Sequence, residues 1–289
     1  MSTLILVAVL SVVAGVTLGL LGGGGSILAV PILVFAGGLE PRSAIATSLL
    51  MVGVSSGVAA ALHRSRGGVD VRAGLTLGLA SMLGAYAGGR AGQHFPAAWL
   101  LAAFTVVMVI TAIAMMRPRH AADDAPSAPA SWMKTSAVGL AVGALTGLVG
   151  AGGGFVIVPA LVLLCGLPMR RAVGTSLLVI AMNSVAGFAG TAHIDALEPT
   201  MVASATAAAT LGSVVGVLSS AHIPAVILRK GFAWFVLAMS IFMVMKQLPS
   251  GLLGSMAGPK VYVVLALVVV AIVFGVAAAK HLRRAAPAA

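Results

Sequence analysis

Long apolar runs separated by short polar segments occupy most of the chain, and their lengths predict helices that cross a membrane. A spanning helix needs about 20 predominantly apolar residues. Length is the useful criterion here, because runs this uniformly apolar carry no clear periodicity. Full spans are predicted at residues 43–62, 72–92, 97–116, 171–190, 200–219, 226–246 and 260–280.

Two longer apolar segments, 4–37 and 134–166, are each interrupted near the middle by a cluster of glycines. Each glycine costs roughly 1 kcal/mol in a helix relative to alanine. We therefore expect each segment to break into two arms. The second arms, 26–37 and 154–165, would be about 18 Å long at 1.5 Å per residue. Either a hairpin that enters and leaves on the same side or a single broken span would fit this pattern.

The chain contains an internal repeat. Residues 19–96 align without a gap with residues 147–224 at a constant offset of 128, and 18 of the 38 residues in 19–56 are identical to their counterparts. The predicted fold is an all-α polytopic membrane protein with two repeats, each a glycine-broken hairpin plus three spans, and one extra C-terminal span. The predicted units are a first repeat at 1–116, a cytoplasmic linker at 117–131, a second repeat at 132–247, and a C-terminal helix with a basic tail at 248–289.

Composition excludes several classes of protein. Only 8% of the residues are charged and the mean hydropathy is +1.14, whereas soluble domains carry about 25% charged residues. This excludes a soluble enzyme, a nucleic-acid-binding domain and a disordered chain. The net charge of +11 is typical of basic loops that face the cytoplasm. No basic segment precedes the first apolar run, so we expect that run to be kept rather than cleaved as a signal peptide.

The distribution of charge predicts the topology. The loop that contains Arg64, Arg66 and Arg72 should be cytoplasmic, whereas its counterpart at 191–199 has two acidic residues and no Lys or Arg, and should be external. Equivalent loops on opposite sides indicate inverted repeats. With a hairpin at each break, the linker and the basic C-terminal tail lie in the cytoplasm and the N-terminus lies in the periplasm. A single crossing would put the tail outside, so the charge favours the hairpin.

The glycine breaks offer a place for an anion. A break leaves backbone N–H groups unpaired at the start of the second arm, and these must face protein or a watery cavity. The partial positive charge of a helix N-terminus then favours a negative ligand. Close helix packing is the alternative reason for glycines in a membrane, and it is the better one for Gly84/Gly88 and Gly212/Gly216. The candidate substrate-binding residues at the breaks are Gly23, Gly24, Gly25, Ser26, Gly152, Gly153 and Gly154.

Polar side chains recur just after each break. A Thr-Ser pair opens the next span in both repeats, and seven residues after each serine, on the same helix face, a further polar residue follows. These groups could bind oxyanion oxygens, but capping or interhelical hydrogen bonding explains them equally well. The candidates are Thr47, Ser48, Ser55, Thr175, Ser176 and Asn183.

Basic residues near the span ends allow two interpretations. Arg42 and Arg170 occupy equivalent positions before the spans. They could attract or gate anions, although anchoring at the membrane interface is the commoner use of such residues. We expect His63, His193 and His222 to be ordinary interfacial histidines.

Both motifs resemble the signature of the TauE/SafE family. The segment Gly19–Pro31 followed by Ala46–Leu49 carries this resemblance in the first repeat, and Gly147–Pro159 with Gly174–Leu177 carries it in the second. The resemblance implies a permease of the bacterial inner membrane that moves small anions. Members are associated with sulfite, sulfoacetate and other sulfonates, usually as exporters.

The sequence therefore predicts a secondary transporter that exports small anions by alternating access. An anion channel or an importer of sulfur-containing anions with the same fold is the alternative. We expect no cofactor, metal site or enzyme activity, because the spans carry no P-loop and no catalytic motif. The expected partners are a small anionic substrate and the lipid bilayer, without nucleic acid, and a homo-oligomer is compatible with the sequence.

Overall fold

The computed structural model describes residues 2–92, 97–116, 131–149, 154–190, 197–220 and 222–247. Within these ranges every regular element is a helix. The predicted C-terminal span at 260–280 and the basic tail lie outside the described residues. The predicted linker does too, apart from residue 131.

The helices coincide with the predicted spans to within three residues at each end. In the first repeat they are α1 (Ser2–Leu21), α2 (Gly24–Pro31), α3 (Pro41–Ser65), α4 (Val71–Gly92) and α5 (Ala97–Met116). In the second they are α6 (Trp132–Val149), α7 (Gly154–Pro159), α8 (Met169–Gly190), α9 (Pro199–Ser220) and α10 (Ala225–Gln247).

Four helices in the described part of the chain are long and apolar enough to cross a membrane. These stretches are Thr3–Leu21, Ser43–Ser65, Met169–Ala189 and Pro199–Ser220. Two shorter apolar helices, Gly24–Ala36 and Gly154–Leu164, correspond to the predicted second arms. The protein therefore has the helical architecture of a polytopic membrane protein.

The first long segment is broken at its glycine cluster, as predicted. Helix α1 ends at Leu21, and Gly22 adopts a φ of +74°, which glycine reaches without the steric cost of a side chain. The chain then turns back along α1. The evidence is at Gly25, where an added Cβ would overlap the carbonyl oxygen of Ala14 on α1. In the second segment α6 and α7 are likewise separate helices, but the residues between them lie outside the described part.

Both second arms change their helical geometry after a proline. Pro31 and Pro159 end α2 and α7, and a π-helical turn follows each, at Ile32–Ala36 and Ala160–Leu164. Proline lacks the N–H donor and its ring collides with the preceding turn. The regular α-helix ends at the proline in both arms, and both continue as a π-helical turn of five residues, so both arms have the same shape.

The repeats pack into each other through their glycines. Helix α1 lies against α9, and α4 lies against α6, so each pair joins the two repeats. The predicted packing role of Gly84, Gly88, Gly212 and Gly216 is confirmed, because a Cβ added at each would overlap a carbonyl oxygen of the facing helix. The same overlap is found at Gly15, Gly19 and Gly143.

The centre of the bundle is formed by α3 and α8, the equivalent helices of the two repeats. Gly53 faces Ser184, and Gly187 faces Leu49. Residue numbers therefore rise along α3 while they fall along α8, so these two helices run antiparallel. The second arms lie beside them in the core, where Phe155 and Ile157 are completely buried.

Candidate functional site

The two glycine breaks meet each other inside the bundle. A Cβ added at Gly23 would overlap the carbonyl oxygen of Gly154 and would lie 3.1 Å from the amide nitrogen of Phe155. One added at Gly154 would lie 3.0 Å from Cδ1 of Ile180, close to the middle of the 22-residue helix α8. The structure thus brings the beginnings of α2 and α7 together near the centre. Gly152 and Gly153 lie outside the described residues.

The beginning of α2 has no side-chain cap, so helix geometry leaves its first N–H groups without helical partners. The space around the glycines is nevertheless filled by protein. The ring of Phe235 would lie 3.0 Å from a Cβ added at Gly24, and Gly25 presses against α1. Ser26 donates a hydrogen bond back to the carbonyl oxygen of Gly23 at 2.8 Å. This conformation is closed around the break.

The Thr-Ser pair of the second repeat holds the first break in place. The Ser176 hydroxyl lies 2.7 Å from the carbonyl oxygens of both Gly22 and Val173. Thr175 Oγ1 accepts a hydrogen bond from the amide of Asp70 at 2.9 Å. Both side chains are completely buried. They therefore act as structural ties between the repeats in this conformation.

The other predicted hydroxyls bond mainly to carbonyls of their own helix. Ser48 donates to Ile45 at 2.7 Å, and Ser55 donates to Met51 at 2.6 Å. Thr47 is also buried. Back-bonding of this kind is common for serine in membrane helices, so an anion would reach these groups only after their side chains rotate.

The remaining polar candidate is used between helices. Asn183 Oδ1 accepts a hydrogen bond from Ser81 Oγ at 3.0 Å, which links α8 to α4. Between α9 and α3, Ser213 donates to the backbone carbonyl of Ser55 at 3.2 Å. Ser55 and Asn183 are equivalent positions in the two repeats. Both therefore contribute to packing between helices.

A cavity of about 100 Å³ lies where the ends of α3 and α9 meet the beginnings of α8 and α10. It brings together residues from both repeats, and two of them are arginines. Its lining consists of His63, Arg66, Gly68, Arg170, Val173, Val217, Ser220 and Leu228.

The cavity is adjacent to the first break. Val173 lines it, and the Cα of Val173 would be 2.8 Å from a Cβ added at Gly22. His63 lies beside it with Nε2 3.4 Å from the carbonyl oxygen of Gly19. Arg170 is positioned by a 3.0 Å hydrogen bond from Nη2 to the carbonyl oxygen of Ile223. An anion in this cavity would therefore lie next to the first break.

Sequence reasoning identified only part of this cavity. From the sequence, Arg170 is a candidate either for anion attraction or for interfacial anchoring, whereas Arg66 bears only on the topology. The sequence predicts an interfacial His63, but only 9% of its surface is exposed, and its Nε2 lies against the carbonyl oxygen of Gly19 in the last turn of α1. Arg42 lies in the first turn of α3, and the structure does not describe its side chain. No group of three or more metal-ligating side chains occurs in the described ranges.

Comparison with known proteins places the chain in a family. Residues 7–243 match the family model described as sulfite exporter TauE/SafE. A probable membrane transporter protein of Xylella fastidiosa is 33% identical over 239 residues, which cover 81% of this chain and 92% of that protein. The probable membrane transporter protein YunE of Bacillus subtilis is 34% identical over 219 residues, or 65% of this chain and 77% of that protein. No solved structure matches the chain significantly.

These matches agree with the helical architecture and with the doubled glycine motif. They indicate a multi-pass membrane transporter rather than an enzyme. The family model covers most of the 289 residues and includes both breaks. The chain belongs to the sulfite exporter TauE/SafE family.

Proposed function

We propose that this protein is a secondary transporter that exports small anions, such as sulfite, sulfoacetate or a related organosulfonate, across the bacterial inner membrane. The proposal depends chiefly on the contact between Gly23 and Gly154. Two helix beginnings that meet near the bundle centre would present N–H groups and partial positive charge to one point. An anion bound there would need no charged side chain in the membrane.

The arrangement of equivalent elements supports inverted repeats. Helices α3 and α8 begin at 41 and 169, α4 and α9 at 71 and 199, and α5 and α10 at 97 and 225. Each pair differs by the same offset of 128. Because α3 and α8 are equivalent yet antiparallel, the axis that relates them would lie across the helices and thus in the membrane plane.

The closed contact at the breaks defines what transport would require. No anion fits between Gly23 and Gly154 while their backbones touch, so substrate binding has to separate α2 from α7. Rocking of one repeat against the other would open the contact to one side at a time, which is alternating access. Export would follow the membrane potential, which favours outward movement of an anion by about 2.3 kcal/mol per charge per 100 mV.

Efflux from vesicles tests this function. Purified protein is reconstituted into liposomes loaded with sulfite, sulfoacetate or sulfate, and release is followed against protein-free liposomes. We expect saturable efflux that is stimulated by substrate on the opposite side. Efflux that rises linearly with concentration would indicate a channel instead.

Variants at the breaks connect the flux to the proposed site. We expect Gly24→Leu and Gly152→Leu to insert and fold but to lose efflux, because a bulky side chain at a break would keep an anion from its backbone amides. A Cβ added at Gly24 would already lie 3.0 Å from the ring of Phe235. Gly231→Leu is the matched control, since a Cβ there has nothing within 4 Å. Normal efflux in Gly24→Leu or Gly152→Leu would count against substrate binding at the breaks.

A further inference from the structure

We infer that the cavity framed by His63, Arg66, Arg170 and Ser220 is a second anion site, distinct from the glycine breaks. It binds a small inorganic oxyanion and delivers it to the first break. The binding is independent of the proposed function, whereas the delivery step rests on it. The site would be the point at which substrate is loaded from the cytoplasm.

The charge of the cavity selects an anion. Arg66 and Arg170 line it, and no acidic residue appears among the described residues of the lining. A guanidinium group presents parallel N–H donors that match two oxygens of an oxyanion. Arg170 is fixed at the rim by its bond to Ile223, so one cation is already positioned before any ligand arrives.

The size of the cavity selects a small ligand. Its volume of about 100 Å³ is well below the roughly 300–1,000 Å³ typical of sites for drug-sized molecules. It is nevertheless larger than the roughly 10–15 Å³ that one water molecule requires on this kind of measure. An inorganic oxyanion such as sulfite or sulfate belongs to this size class, whereas a long sulfonate does not.

The walls of the cavity lead to the break. His63 touches the last turn of α1 at Gly19, and Val173 touches Gly22. The Ser176 hydroxyl lies 2.7 Å from the carbonyl oxygens of both Val173 and Gly22 and can donate its hydrogen to either. An oxyanion in the cavity therefore needs to displace only this short stretch of protein to reach the uncapped beginning of α2.

The sequence does not repeat the cations of this cavity in the second repeat. At an offset of 128, the positions that correspond to His63 and Arg66 are Thr191 and Ile194. Neither counterpart can be cationic, so the second repeat cannot form the same set of charges. The side with the cavity also carries Arg64, which charge distribution assigns to the cytoplasm. This asymmetry suits loading from the inside and release outside.

Equilibrium binding of inorganic sulfite and sulfate to the purified full-length protein tests the site. We expect Arg66→Gln to weaken binding roughly tenfold, the usual effect of removing one charged hydrogen bond. Arg64→Gln is the matched control, because it removes the same charge from the same helix end but does not line the cavity. Arg170→Lys keeps the charge and should bind more tightly than Arg170→Gln.

The outcomes separate the two proposals. Gly24→Leu should keep sulfite binding in the cavity while it loses efflux, and Arg66→Gln should raise the KM for efflux. Binding that is the same in Arg66→Gln and Arg64→Gln, or no binding to the wild-type protein, would overturn the cavity site even if efflux is normal. Binding that depends on Arg66 without any efflux would instead overturn the proposed function.

Discussion

Replacement of Gly23 by alanine is the smallest change that tests the contact between the two breaks. Gly23 has a φ of −163°, which is outside the left-handed region that favours glycine. The contact made by the added methyl group is therefore the effect to be measured. That group would overlap the carbonyl oxygen of Gly154 and would lie 2.7 Å from its carbonyl carbon.

The size of the effect follows from this overlap. Carbon atoms in contact normally lie about 3.5–4.0 Å apart, so α2 and α7 would have to separate by about 1 Å. Overpacking of this kind costs about 1–3 kcal/mol. Because every 1.4 kcal/mol changes an equilibrium tenfold, the closed conformation would lose roughly 5- to 150-fold in population relative to an open one.

Efflux of sulfite from liposomes and thermal unfolding in detergent measure the two consequences. We expect Gly23→Ala to unfold at a lower temperature and to transport at least fivefold more slowly or to leak. Gly231→Ala is the control, because its Cβ meets no atom within 4 Å and alanine favours the helix by up to about 1 kcal/mol. Wild-type efflux together with wild-type stability in Gly23→Ala would refute the contact and the reasoning built on it.

Two further predictions concern the fold around the breaks. Ser176→Ala removes the hydrogen bond to the carbonyl oxygen of Gly22 and should lower the free energy of unfolding by about 1–3 kcal/mol. The control Ser65→Ala, at an exposed helix end, should change it by less than about 0.5 kcal/mol. Equal melting temperatures for the two variants would contradict a stabilising bond between Ser176 and Gly22. A cysteine introduced at Asp195 should react with an impermeant thiol reagent from the periplasm, and one at Arg66 should react from the cytoplasm. Reaction of both cysteines from the same side of the membrane would contradict the inverted repeat.

The helices and the first break could be predicted from sequence because their causes are local. The bilayer thickness sets the length of an apolar span, so run length alone located α3–α5 and α8–α10 to within three residues. Each glycine costs a helix roughly 1 kcal/mol relative to alanine, so a run of four at 22–25 favours a break, and α1 ends just before Gly22 here. The repeat is likewise visible without any structure, since it is a comparison of the chain with itself.

The role of the polar residues could not be predicted in the same way. The Thr-Ser pairs suit either an anion or a hydrogen bond between helices, and the sequence contains no sign of which applies. In the structure Ser176 bonds to Gly22, 154 residues earlier in the chain. Such a bond depends on how two helices are rotated about their axes, and uniformly apolar runs carry no periodicity that specifies the rotation.

The sequence by itself therefore determined the number, length and repetition of the described helices and the position of the first break. Only the tertiary structure decided that Gly23 meets Gly154, and that His63 and Arg66 share a cavity with Arg170. The physical reason is distance along the chain. Local backbone energetics and burial in lipid act on neighbouring residues, whereas these contacts arise from the packing of segments more than 100 residues apart.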